Sequence, residues 1–185
     1  MNAIAIRDES LFEVMLKATV IYDDFNFATR AAALLERAAR RVHEAVQWDV
    51  KPWRLEVLKE SSLAEAAETE AATADLIVFA LSKTGSLPAE LTGWLERWAA
   101  HRQTEDAALM VLSPNESSAG QRLWRELEQF AERYGLAFLS SYHVGENGDS
   151  MQFVHQLWQR RVPSAVALGL TNDPPRPPRH WGINE

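Results

Sequence analysis

Cysteine is absent from the 185-residue chain, which excludes disulfides, thiol catalysis and thiolate metal sites. No run approaches the ~20 consecutive apolar residues that a membrane span needs. The first fifteen residues, MNAIAIRDESLFEVM, carry Arg7, Asp8, Glu9 and Glu13 and lack the basic start and apolar middle of a signal peptide. These absences set the expectation of a cytoplasmic protein that does not engage a membrane. Positive charge is also in deficit, with 19 Lys and Arg against 26 Asp and Glu and a net charge of −7. Such a chain repels the phosphates that a nucleic-acid binder must neutralise, so no nucleic-acid partner is expected. The sequence has no Gly-x-Ser-x-Gly elbow, Walker loop or His-Glu-x-x-His. His43, His101, His143, His155 and His180 are scattered without metal-ligand spacing.

What is present fits one globular domain, with 46% hydrophobic and 24% charged residues, enough to bury a core without covalent staples. Five runs read as strands: 17–22, 53–59, 75–81, 107–113 and 136–142. Four are nearly continuous apolar runs, as expected of strands buried on both faces. The second is different. Arg54 and Glu56 alternate with Trp53, Leu55 and Val57, the pattern of an edge strand with one wetter face.

Amphipathic patterns separate the runs. Ala31, Leu34, Leu35, Ala38, Val42 and Ala45 form one helical stripe, and Leu91, Trp94, Leu95, Trp98 and Ala99 form another. Leu123, Trp124, Leu127, Phe130, Ala131 and Tyr134 form a third, with Gly135 as its stop. The Ala/Glu-rich stretch 61–74 favours helix by propensity, and a last helix is expected from Asp149 with Val154, Leu157 and Trp158 on its apolar side. Trp94 and Trp98 fall on a buried stripe and are expected in the core. Alternating strands and helices predict a parallel sheet covered on both faces. A polar second strand at one edge fits the flavodoxin-like order 2-1-3-4-5. The expected organisation is an arm over 1–15, the α/β domain over 16–162 and a proline-rich tail over 163–185. The tail's prolines forbid helix. Trp181 and Ile183 are expected to dock the tail on an apolar patch of the same chain or of a neighbouring copy.

In such sheets ligands sit beyond the carboxyl ends of the strands. That rule nominates the loops at 23–27, 60–62, 82–87, 114–118 and 143–149. The candidate ligand-loop residues are Asp23, Asp24, Thr29, Ser82, Lys83, Thr84, Gly85 and Ser113.

The stretch ADLIVFALSKTGSLPAELTGWLERW, residues 74–98, resembles the third strand, loop and helix of flavodoxins and NADPH-dependent FMN reductases. Gly85, Ser86, Leu87, Pro88, Ala89, Leu91, Leu95 and Arg97 match their pattern. That resemblance implies an FMN site beside the loop. An FMN phosphate needs a small loop rich in Gly, Ser and Thr at the first helix. The chain instead has Asp23, Asp24, Phe25 and Phe27 there, leaving Thr29 and Arg30 as phosphate contacts.

The acidic pair also resembles that of response-regulator receiver domains, which holds Mg²⁺ through carboxylate oxygens. The receiver pattern needs a phosphoacceptor Asp at the end of the third strand, where this chain has Ala80, Leu81 or Ser82. Ser113 fits the fourth position. The fifth strand supplies no lysine. Asp23 and Asp24 are therefore weak metal candidates, and carboxylates after a strand also cap the following helix.

The expected function is a non-catalytic signalling or interaction module with a degenerate flavodoxin-like or receiver-like site and no cofactor. It acts through a protein partner or self-association. The alternative is an FMN-binding redox protein with an atypical phosphate loop. A third reading is an anion-binding enzyme using Lys83 and the acidic pair.

Overall fold

The computed structural model describes residues 14–42, 46–83, 85–112 and 118–140. Five parallel strands form one sheet in the order β2-β1-β3-β4-β5, the flavodoxin-like order. They are β1 (Val14–Tyr22), β2 (Val46–Arg54), β3 (Leu76–Ala80), β4 (Ala108–Leu112) and β5 (Ala137–Ser140). The helices are α1 (Phe25–Val42), α2 (Ser61–Ala71), α3 (Ala89–His101) and α4 (Ser118–Tyr134), with a 3₁₀ turn over Leu55–Lys59.

β3 and β4 are buried along their whole length, which is why LIVFA and ALMVL show no polar alternation. β1 opens at Val14, inside the stretch expected to be an arm. Its pairing with β3 begins only at Ala18, so Met15 and Lys17 remain exposed.

The second strand lies earlier than the alternation at Trp53–Val57 suggests. It pairs with β1 from Val14↔Val46 to Tyr22↔Arg54, and Leu55–Lys59 turns away as 3₁₀ helix that buries Leu58. Pro52 masks the true strand. A proline breaks a central ladder, but an edge strand tolerates it. Val46, Trp48 and Val50 face α1, while Gln47 between them and Lys51 after them are exposed. The edge position and the wetter face are as expected, but the strand starts seven residues and ends five residues earlier than the expected 53–59.

Two apolar clusters sandwich the sheet. On one face, Leu16, Ala18 and Val20 of β1 pack with Ala31, Leu35, Ala38 and Ala39 of α1. On the other, Ile21, Ile77 and Phe79 pack with residues of α2, α3 and α4. Ala45 and the side chain of Val42, expected on the α1 stripe, lie outside the described residues.

Trp94 and Trp98 are fully buried, as their stripe predicts. Their rings stack 6.5 Å apart and 6° from parallel. Each indole N–H donates to an α2 carbonyl, Trp94 to Ala64 at 3.1 Å and Trp98 to Ala71 at 2.9 Å. Small side chains at Ala64, Ala67 and Ala71 let α2 approach the two rings. Arg97 Nε and His101 Nδ1 meet the Glu68 carboxylate at 3.0 and 2.8 Å. Positions i, i+3, i+4 and i+7 of α3 thus all hold α2.

At the amino end of the sheet, Asp75 is 1% exposed and accepts the Lys17 N–H at 2.8 Å, while its own N–H returns to the Lys17 carbonyl. α4 ends at Gly135, whose φ is +66°. Leu136 N–H donates to the Ala131 carbonyl, completing the glycine stop. No described helix is long and apolar enough to cross a membrane.

Candidate functional site

The link from β1 to α1 is two residues long, Asp23 and Asp24. The chain bends at both residues, and the two carboxylates reach different partners. Asp24 caps α1. Its Oδ1 accepts the Asn26 N–H at 2.8 Å, and its carbonyl accepts the N–H groups of Phe27 and Ala28. A carboxylate at this end also meets the positive pole of the helix dipole.

Asp23 turns toward the loop after β3. Its Oδ1 accepts the Ser82 N–H at 2.6 Å. Its Oδ2 accepts the Ser82 hydroxyl at 3.1 Å and the Lys83 N–H at 3.0 Å. Two successive backbone N–H groups and a hydroxyl converging on one anion form the nest that oxyanions use. Here the anion is a side chain of the protein.

The remaining candidates are arranged as follows. Thr29 donates its hydroxyl to the Phe25 carbonyl one turn back in α1, at 3.1 Å. The Arg30 guanidinium lies over the Phe27 ring, 5.3 Å from its centroid, a cation–π contact. Ser82 is half-buried and Lys83 exposed. Gly85 is half-buried, and a Cβ there would meet nothing within 4 Å. Space therefore does not demand glycine there. Thr84, Ser113, residues 114–117 of the fourth loop, the loop at 143–149, the helix expected from Asp149, and Trp181 and Ile183 of the tail lie outside the described residues, while Ser118 opens α4. The structure therefore brings Asp23, Ser82 and Lys83 together and separates Asp24 and Thr29 from them.

The loop after β3 is also held from its far side. Leu87 N–H donates to Glu126 Oε2 at 3.0 Å, so α4 fixes the entry to α3. Pro88 is the cap of α3, and its carbonyl accepts the N–H groups of Leu91 and Thr92. Glu126 was invisible as a site residue, because nothing local marks a helical glutamate as the acceptor for a loop 39 residues away. Beside this loop, Leu87, Leu95, Phe130, Glu126 and Arg133 line a groove of about 270 Å³ between α3 and α4. A smaller cavity of about 110 Å³ lies between the 3₁₀ turn and α3, with Leu55, Leu58, Pro88 and Leu91 on its walls. Among the described residues, no group of three His, Cys, Asp or Glu side chains is placed to hold a metal ion.

The sequence matches no known protein-family model, and no curated protein aligns with it significantly.

Proposed function

We propose that the chain is a non-catalytic interaction module of the cytoplasm, built on a flavodoxin-like scaffold whose ligand position is filled from within. One observation carries this reading. The Asp23 carboxylate takes the Ser82 N–H, the Ser82 hydroxyl and the Lys83 N–H, the donors that an incoming phosphate or flavin would need. An external anion has to displace a tethered one, and it meets Asp24 beside it. Tethering favours the internal carboxylate, because binding it costs no translational freedom.

The same contact argues against receiver chemistry. Both Asp23 oxygens are engaged by the loop, and Asp24 is engaged by α1, so the pair does not converge as a magnesium site requires. The end of β3 holds Ala80, Leu81 and Ser82 where receiver chemistry needs an Asp, and on this reading the surface carries function.

The test is direct. Purified protein is mixed with FMN at micromolar concentration, and flavin fluorescence is followed to saturation and after denaturation. No saturable quenching and no released flavin are expected. Stoichiometric flavin in either measurement overturns the reading, as does an acylphosphate at Asp23 or Asp24 after treatment with a small phosphodonor and Mg²⁺.

A further inference from the structure

We propose that the outward face of α1 docks a second copy of this chain, which it meets through the acidic helix α2. This deepens the reading of an interaction module by naming the surface and the partner, and it rests on that reading.

The α1 face is unusual in an acidic protein. Arg30, Arg37 and Arg41 are all exposed. At roughly 100° per residue, positions i, i+7 and i+11 fall within about 40° of one another on the helix, opposite the buried stripe. They form a straight ridge about 16 Å long. Arg40 lies to one side and is paired with Glu36. Arg37 and Arg41 make no ion pair or hydrogen bond among the described residues. An isolated helix would gain from acidic residues at i±4, yet Glu36 is the sole acidic residue of α1. Phe25 stands 74% exposed at the amino end of the same helix.

The complementary surface is on the opposite side of the sheet. α2 reads SSLAEAAETEA and holds three glutamates and no basic residue, with Glu60 immediately before it. Glu60 and Glu65 are exposed and make no side-chain ion pair or hydrogen bond among the described residues. The Glu60 side chain does not cap the helix either. The outward ridge of α2 consists of Ser62, Ala66 and Thr69, small side chains that let a neighbouring helix lie close. Leu63 adds an exposed apolar residue, 40% accessible. Glu68 is held by Arg97 and His101 and Glu70 by the Trp53 indole N–H, so Glu60 and Glu65 are the acids left to face the ridge, about 7.5 Å apart along the axis against about 6 Å from Arg37 to Arg41.

Because α1 and α2 cover opposite faces of the sheet, the contact is head-to-tail. Each copy that offers α2 still has α1 free. Such a contact does not close at a dimer unless a ring forms. Unpaired surface charges meeting their complements are also screened by salt, so the association weakens as ionic strength rises.

The experiment is sedimentation of the full chain over a range of concentrations at about 0.05 M and about 0.5 M salt, where the screening length shortens severalfold. Wild type is expected to gain mass with concentration beyond the dimer at low salt and to revert toward monomer at high salt. R37E/R41E and E60K/E65K, each alone, place like charges on both faces and are expected to associate about tenfold more weakly or worse. An equimolar mixture of the two restores opposite charges at every contact and is expected to regain association. Circular dichroism of each variant checks folding, and the mixture itself excludes a folding defect as the cause. A wild type that stays monomeric at low salt overturns the proposal. So does association that survives either double variant, or a mixture that fails to associate. None of these results touches the flavin measurement, so the two readings fail separately.

Discussion

Asp23 Oδ1 accepts the Ser82 backbone N–H at 2.6 Å, joining two loops whose residues are 59 apart in the chain. Among the described residues the neighbouring Asp24 makes only local bonds, to Asn26 through its side chain and to Phe27 and Ala28 through its carbonyl. The two carboxylates therefore make different contributions to stability. Asp23→Ala leaves two backbone N–H groups and a hydroxyl without their acceptor and is expected to cost about 1–3 kcal/mol. Asp24→Ala removes one helix cap, typically worth about 1 kcal/mol. Asp23→Asn keeps one acceptor oxygen but presents an NH₂ group to the second N–H, so it falls between. Urea unfolding of the three variants orders them. An Asp23→Ala variant no less stable than Asp24→Ala shows that the bridge between loops contributes little.

Trp98 makes a second test, of packing. It is fully buried, stacked on Trp94 and hydrogen-bonded to the Ala71 carbonyl. Trp98→Ala empties a large aromatic site and is expected to cost about 3–5 kcal/mol. Trp98→Phe loses less, because the Ala71 carbonyl keeps the Ala74 N–H as a partner. A melting curve unchanged in Trp98→Ala contradicts the core assignment.

The difference between what sequence reveals and what it conceals follows from distance along the chain. β3, β4 and the stripe of α3 are written in local periodicity, and the structure places them within a residue or two of their expected bounds. Gly135 is equally local. β2 is not, because Pro52 hides a strand that is tolerable only at an edge, and the edge is a property of the whole sheet. The site is concealed for the same reason. Asp23 and Asp24 look alike as neighbours, and only the folded position of Ser82 and Lys83 separates an anion that fills a nest from one that caps a helix. Glu68, Asp75 and Glu126 act through partners 29 or more residues away, and no spacing rule points to them.

Asp75 supports a third prediction. It is buried at the amino end of β3, and its carboxylate accepts the Lys17 N–H at 2.8 Å. Lys17 precedes the point where β1 begins to pair with β3, so its N–H needs an acceptor from outside the ladder. Asp75→Ala removes it and is expected to cost about 1–3 kcal/mol. Asp75→Asn retains an oxygen acceptor and is expected to cost less. Hydrogen exchange at the Lys17 amide reads the local effect, and an amide equally protected in Asp75→Ala shows that another group takes the bond.

The last prediction concerns Gly135 and separates space from backbone strain. Its φ of +66° lies in the left-handed region, yet a Cβ built there meets nothing within 4 Å. A steric account of the glycine therefore predicts that alanine is harmless. A backbone account predicts otherwise, because an L-residue in that region clashes with its own following carbonyl, at a cost of about 1–2 kcal/mol. The conformation cannot relax freely, since Leu136 must still reach the Ala131 carbonyl, at 2.8 Å, before β5 begins at Ala137. Gly135→Ala is thus expected to lower stability by that amount. Gly135→Asn is expected to lose less, because asparagine visits the left-handed region more readily than alanine. Equal stability of glycine and alanine at this position, measured by urea unfolding, overturns the backbone account. Asparagine no better than alanine assigns the cost to something other than φ.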